Sequence, residues 1–224
     1  MPDLSILCKR LAHEFKDPVL LETALTHRSA NKKHYERMEF LGDAILNLII
    51  TDDLYHRFPE ASEGKLSRLR ATMVKGETLS KIAQSLELGD FLNLGSGELK
   101  SGGFRRKSIL ADVFESIIGA IYLDQGYEAA RTFVLTMFHE RLNSADININ
   151  LKDPKTRLQE YLQSKGLDLP VYEILTTHGK AHNQTFEVAC HVSLAEKATQ
   201  GSGNSRRKAE QMAAEQMLQQ LESK

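Results

Sequence analysis

The 224-residue chain has only two cysteines, Cys8 and Cys190, far apart in sequence and at no zinc-binding spacing. Neither a disulfide framework nor a metal knuckle is supported, and a reducing, intracellular compartment is expected. An excess of one charge is missing as well. Lys and Arg number 29 against 30 Asp and Glu, a net charge of -1, so any attraction for a polyanion must come from a local patch. No apolar run approaches membrane-spanning length, and the opening "MPDLSILCKRLAHEF" scatters charges where a secretory signal needs an unbroken apolar core. The expected setting is the cytoplasm, with no membrane partner. No internal repeat joins the two halves, and no convincing strand pattern occurs before residue 143.

What is present up to that point is helical periodicity, punctuated by turn signals at "FPEAS", "LELGD", "GSGELKSGG" and "DQGYE". The stretch "SADININLKD", residues 144–153, breaks the pattern with short polar and β-branched residues and leads to Pro154, which suits the first turn of a new helix. Beyond it come an amphipathic helix, "PKTRLQEYLQSKG", then strand-forming runs at "VYEILTTH", "QTFEVACHVS" and near "EKATQG". A final helix, "SRRKAEQMAAEQMLQQLES", closes the chain. The expected division is residues 1–143, a 144–153 linker and residues 154–224. The fold class is two domains: an all-α domain followed by an α+β domain of order α-β-β-β-α, an antiparallel sheet with its helices on one face.

Two apolar helices carry the chemistry. In "HYERMEFLGDAILNLII" (34–50), Glu36, Glu39 and Asp43 are separated by three, four and seven residues, which at about 100° per residue gathers them within an arc of roughly 60°. In "ILADVFESIIGAIYL" (109–123), only Asp112 and Glu115 are charged, and their spacing of three places them side by side. Carboxylates on such apolar helices are costly unless a cation meets them. Two helices that each open carboxylates toward a common point make an oxygen-rich cage suited to a hard divalent ion such as Mg²⁺. Gly42 and Gly119, beside the two groups, cost helix propensity and would let the two backbones approach closely. Glu63 in "ASEGKLSRLRATMV" is a further acid, and a first-turn Glu that only complements the helix dipole reads equally well there. Lys65, Arg68, Arg70 and the "RRK" opening the helix expected over 105–123 would be placed to hold phosphates, so metal-dependent phosphodiester chemistry is the natural expectation.

"HYERMEFLGDAIL" resembles the ribonuclease III signature, and "LTHRS", "SEGKLSRLRATMV" and "ILADVFESIIGAIYLD" follow in that family's order and spacing. The C-terminal half, with "PKTRLQEYLQSKG", "PVYEI" and "GSGNSRRKAEQMAAEQML", resembles a double-stranded-RNA-binding domain. The resemblance implies a Mg²⁺-dependent endoribonuclease for double-stranded RNA, with Mn²⁺ able to substitute and no small-molecule organic cofactor. It implies a homodimer that makes staggered cuts leaving 5′-phosphate and 3′-hydroxyl ends, and a role in processing ribosomal and other structured transcripts. Carried over residue by residue, the metal acids are Glu39, Asp43, Asp112 and Glu115, with Asp43 and Glu115 catalytic and Glu36 and Glu63 as supporting acids. Phe40 falls on the aromatic that helps two subunits interlock. RNA contacts fall on Thr156, Gln159 and Glu160, on His178, Gly179, His182 and Asn183, and on Ser205, Arg206, Arg207 and Lys208. The last three open a helix whose free N–H groups and positive dipole end add to their charge, while Gly201 and Gly203 upstream permit a tight turn into it. The family more often has Asn where Tyr35 stands, Leu where Met38 stands, and a lysine where Glu210 stands.

Two rival expectations fare poorly. A non-catalytic RNA chaperone on the same scaffold would lack acids, and all six are present. A carboxylate-bridged di-iron bundle needs Glu-x-x-His on two helices, and no glutamate here has a histidine three residues on.

Overall fold

The computed structural model describes residues 3–147, 153–179 and 184–222. The chain forms two compact units, residues 1–149 and 150–224. Among the described residues no helix is long and apolar enough to cross a membrane.

The first unit is helical: α1 (Leu4–Leu11), α2 (Pro18–Ala24), α3 (Glu36–Arg57), α4 (Glu63–Val74), α5 (Gly76–Ser85), α6 (Ser96–Lys100) and α7 (Lys107–Asn143). Local chemistry sets several starts. Asp17 caps α2 by accepting from the Val19 N–H, with Pro18 in the first turn, where its missing N–H costs nothing. The core is the contact of α3 with α7. Leu46, Ile49, Ile50 and Leu54 of the former and Val113, Phe114, Ile117, Ile118 and Ile121 of the latter are all buried. The glycine pair brings the backbones together. A Cβ at Gly42 would lie 1.8 Å from the Glu115 carbonyl oxygen, and one at Gly119 would lie 2.3 Å from the Met38 carbonyl oxygen. Each glycine costs roughly 1 kcal/mol of helix propensity, and no larger residue fits without moving a helix.

Two local expectations are corrected and one is met. The stretch "GSGELKSGG" is not all turn: it holds the short helix α6 and a 3₁₀ turn at Gly103–Arg105. The ion pair of Arg106 with Glu98 at 2.6 Å ties this segment to the start of α7. That helix begins at Lys107, so Arg105 and Arg106 precede it rather than opening it. The turn expected at "DQGYE" is present: Gly126, at φ 82°, ψ −172°, a conformation open to glycine, kinks α7 into two helical segments there.

The second unit has α8 (Pro154–Ser164), β1 (Val171–His178), β2 (Thr185–His191), β3 (Thr199–Gly203) and α9 (Arg206–Glu222). The sheet is antiparallel in the order β1-β2-β3, with Tyr172 opposite Cys190 and Val188 opposite Gly201. Leu158 and Leu162 of α8 pack with Cys190, Ala213, Met217 and Leu218 over one face of it. Gly201 and Gly203 lie inside β3 rather than in a turn, because α9 presses on that strand. A Cβ at Gly201 would stand 2.3 Å from the Ala213 nitrogen, and one at Gly203 2.8 Å from the Ala209 nitrogen.

Candidate functional site

The first turn of α3 and the second and third turns of α7 meet where the glycines let them. Glu39, Asp112 and Glu115 each offer a carboxylate oxygen, and these atoms all lie within 4.8 Å of one another. Asp43, one turn along α3, stands outside this trio, its Oδ1 accepting from Asn47 Nδ2 at 2.8 Å. It remains near enough to act on Glu115 through space. Glu36 turns aside, accepting from Arg28 Nη1 at 3.2 Å. Glu63, at the start of α4, accepts from the Ser67 hydroxyl at 2.6 Å and borders a separate hollow with Thr51, Tyr55 and Arg70.

Burial and mutual repulsion dominate the electrostatics. Burial pushes the Glu115 carboxyl up to about 8, and the charges of Asp43, Glu39 and Asp112 push the same way. Glu39 rises to about 7 through burial, then Asp112, Glu36 and Asp43. Asp112 is raised by burial, opposed by His27 and aided by Glu36. Tyr35, buried below α3, has its phenol pushed well above its ordinary value by burial and then by Asp112, Glu39 and Glu36. Among the described residues no lysine or arginine forms an ion pair with Glu39, Asp43, Asp112 or Glu115. A half-buried carboxylate cluster with no lysine or arginine paired to it, all of hard oxygen donors, fits a divalent metal ion.

Glu36, Glu39 and Asp112 line a cleft of about 660 Å³, which His27, Arg28, Ser29 and Arg106 also line. Sequence reasoning assigned no role to His27 or Arg28. The only signal for them was "LTHRS", whose turn sits beside the acids because Thr26 bridges to Asn93 and the Tyr35 N–H donates to the Thr26 carbonyl. Phe40 points away from the acids and is 82% exposed.

In the second unit, Asp153 caps α8 by accepting from the Thr156 N–H, with Pro154 in the first turn. Thr156, Gln159 and Glu160 are exposed along that helix. Arg206, Arg207 and Lys208 are exposed at the start of α9, where the Lys208 N–H donates to the Ser205 hydroxyl at 3.3 Å. The starts of both helices line one cleft of about 730 Å³, which holds Lys155, Thr156, Gln159, Arg206 and Arg207. His178 and Gly179 are exposed at the end of β1, with Gly179 at φ 96°, while His182 and Asn183 lie outside the described residues. Glu210 is paired with Lys155 and with Arg206.

Carboxylates gathered for a metal on a helical scaffold, joined to an α-β-β-β-α module with basic residues at a helix start, define an endoribonuclease of double-stranded RNA. The family models agree: residues 17–142 match "Ribonuclease-III-like" and residues 154–221 match "Double-stranded RNA binding motif". Ribonuclease 3 of Vibrio campbellii is 57% identical over 95% of this chain and 95% of its own, and that of Photobacterium profundum 57% over 97% of each. The nuclease domain of ribonuclease III from Campylobacter jejuni superposes with a TM-score of 0.62 at 44% identity, covering 65% of this chain and all of that one. A second structure of that domain, described for flexibility in a region involved in dimer formation, gives 0.61 at 45%, covering 62% of this chain and 97% of that one. This chain belongs to the ribonuclease III family.

Proposed function

We propose that the protein is a Mg²⁺-dependent, homodimeric endoribonuclease that makes staggered cuts in double-stranded RNA, leaving 5′-phosphate and 3′-hydroxyl ends. Its place is the cytoplasm and its substrates are ribosomal RNA precursors and other structured transcripts. The observation that carries the reading is the convergence of Glu39, Asp112 and Glu115 within 4.8 Å, half-buried and without a cationic partner. These three would hold the cation, with Asp43 completing the set from the next turn of α3. The ion, when bound, supplies a Lewis acid that activates water and offsets charge on the departing 3′-oxygen. Mn²⁺ satisfies the same donors.

The chain's own residues do the rest. Glu115, the acid held highest by its surroundings, would serve as a ligand in its ionised form, its proton released to solvent. Arg28 and Arg106 line the cleft beside the acids and would orient the phosphate strand. Glu36 keeps Arg28 in place, and Glu63 is assigned to substrate or product engagement. The second unit supplies affinity. Thr156, Gln159, Glu160, His178, Gly179, His182 and Asn183 would follow the minor groove and its 2′-hydroxyls, while Ser205, Arg206, Arg207 and Lys208 would take phosphates. Residues 1–143 serve as nuclease and dimerisation domain, 144–153 as linker and 154–224 as RNA-binding domain.

For the dimer, Phe40 is the supporting residue: it is 82% exposed and shares α3 with two further exposed large apolar residues, Leu48 and Tyr55, an apolar surface that calls for a cover. The hollow bordered by Leu54, Tyr55, Ala61 and Leu66, about 440 Å³, is apolar enough to take such a ring from a second copy.

Glu115→Gln tests the reading. It keeps the shape and removes the charge, so cleavage should collapse while duplex binding survives through the basic residues. Loss of binding equal to the loss of cleavage would remove Glu115 from the metal set.

A further inference from the structure

The starts of α8 and α9 are laced together by the side chains of Asp153, Glu210 and Gln211. Asp153 Oδ1 accepts from the Thr156 N–H at 3.1 Å and from Gln211 Nε2 at 2.8 Å, while Gln211 Oε1 accepts from the Lys155 N–H at 3.0 Å. Beside Gln211 on α9, Glu210 is 8% exposed. One of its carboxylate oxygens takes Lys155 Nζ and the other takes Arg206 Nε at 2.8 Å. The Lys155 ammonium also stands 4.4 Å from the centre of the Tyr172 ring, so β1 supports the clamp from below. Burial pushes the Glu210 carboxyl up, and the hydrogen bonds and charges of Lys155 and Arg206 more than offset this, leaving it below the ordinary value.

The bond to Glu210 engages Arg206 through Nε, and the Arg206 side chain stays 60% exposed. Both terminal amino groups are therefore left to form a fork for a phosphate. A carboxylate beside a phosphate-binding arginine looks like a defect, since it subtracts charge. Its gain is geometric: a long side chain that loses rotamer freedom before binding does not lose it on binding.

We propose that Glu210 is a positioning residue for duplex RNA: by clamping Lys155 of α8 to Arg206 of α9 it fixes the spacing of the two RNA-facing helix starts and holds the arginine fork outward. The inference rests on the proposed role of Arg206 as a phosphate contact.

The test is a double-mutant cycle in the full-length chain. Binding to a defined RNA duplex is measured over a range of salt without divalent ions, for the parent, Arg206→Ala, Glu210→Gln and the double variant. Glu210→Gln should weaken binding about two- to ten-fold, the ordering cost of one long side chain, and flatten the salt slope by somewhat less than one. Charge alone would act the other way, because a negative group near phosphates has been removed. Arg206→Ala should weaken binding several-fold in the parent and less than two-fold in the Glu210→Gln background. In cleavage assays the loss should fall on KM, with kcat retained. Equal loss from Arg206→Ala in both backgrounds, or tighter binding by Glu210→Gln, overturns the positioning role. No effect of Arg206→Ala in the parent overturns the phosphate contact itself. Should Glu210→Gln fail to fold, Glu210→Asp, which keeps the charge and shortens the reach by one methylene, carries the same cycle.

Discussion

Glu115→Gln should make the metal-free protein more stable in mild alkali, although it should also disable the enzyme. In the folded chain the Glu115 carboxyl lies at about 8 against an ordinary 4.5, so between these values the native state binds a proton that the unfolded state has released. Stability from this group is therefore fully present below pH 4.5 and is lost as pH rises through 8. At about 1.36 kcal/mol per pH unit, the whole window would amount to about 5 kcal/mol. Solvent contact at the half-buried carboxyl discounts this to about 1–2 kcal/mol. Glutamine carries no charge and escapes the loss. In EDTA at pH 8.5 the variant should melt roughly 2–8 °C above the parent, at 2–4 °C per kcal/mol for a chain of this size, and at pH 4.5 the difference should vanish. Adding Mg²⁺ should raise the melting temperature of the parent and leave the variant almost unmoved, because ion binding stabilises only the form that binds. Thermal melts followed by circular dichroism read all four conditions. A variant that melts below the parent in EDTA at pH 8.5 would refute the electrostatic reasoning.

Gly119→Ala should drive a Cβ to 2.3 Å from the Met38 carbonyl oxygen, prise α3 from α7 and cost at least about 2 kcal/mol; an unchanged melting temperature would show the helix contact to be looser than described. Phe40→Asp should yield a monomer by analytical ultracentrifugation with its helical spectrum intact, whereas a persistent dimer would remove Phe40 from the interface. Replacing Arg206, Arg207 and Lys208 together with Ala should flatten the salt dependence of duplex binding by roughly two to three at most, with cut positions unmoved. A shift of the cut sites would mean that the start of α9 helps place the scissile bond.

Period and spacing carried a large part of the site. Glu39, Asp112 and Glu115 are legible because charged residues at helical intervals inside apolar helices have few uses, and the structure brings those three together. The flanking glycines were legible for the same reason, since a glycine costs helix propensity and Gly42 and Gly119 meet the opposite backbone. Sequence spacing grouped Asp43 with Glu36 and Glu39, whereas in the fold Asn47 engages Asp43 and Arg28 engages Glu36, contacts that depend on rotamers and on a distant turn. Gly201 and Gly203 looked like turn residues because local sequence cannot show a helix lying across a strand. Asp124 gave no signal beyond its turn, yet its carboxylate accepts from the Lys16 and Asp17 N–H groups at 3.0 and 2.9 Å and anchors the segment before α2. Such a contact, more than a hundred residues away in sequence, has no local pattern.

Incubation of a long RNA duplex with the purified protein, in Mg²⁺ and in EDTA, bears most directly on the chemistry assigned to the acid cluster. The duplex should be cut to short fragments with 5′-phosphate ends in Mg²⁺, and remain bound but uncut in EDTA. Equal cleavage in both mixtures, or none in either, would contradict a metal-dependent nuclease built on Glu39, Asp112 and Glu115.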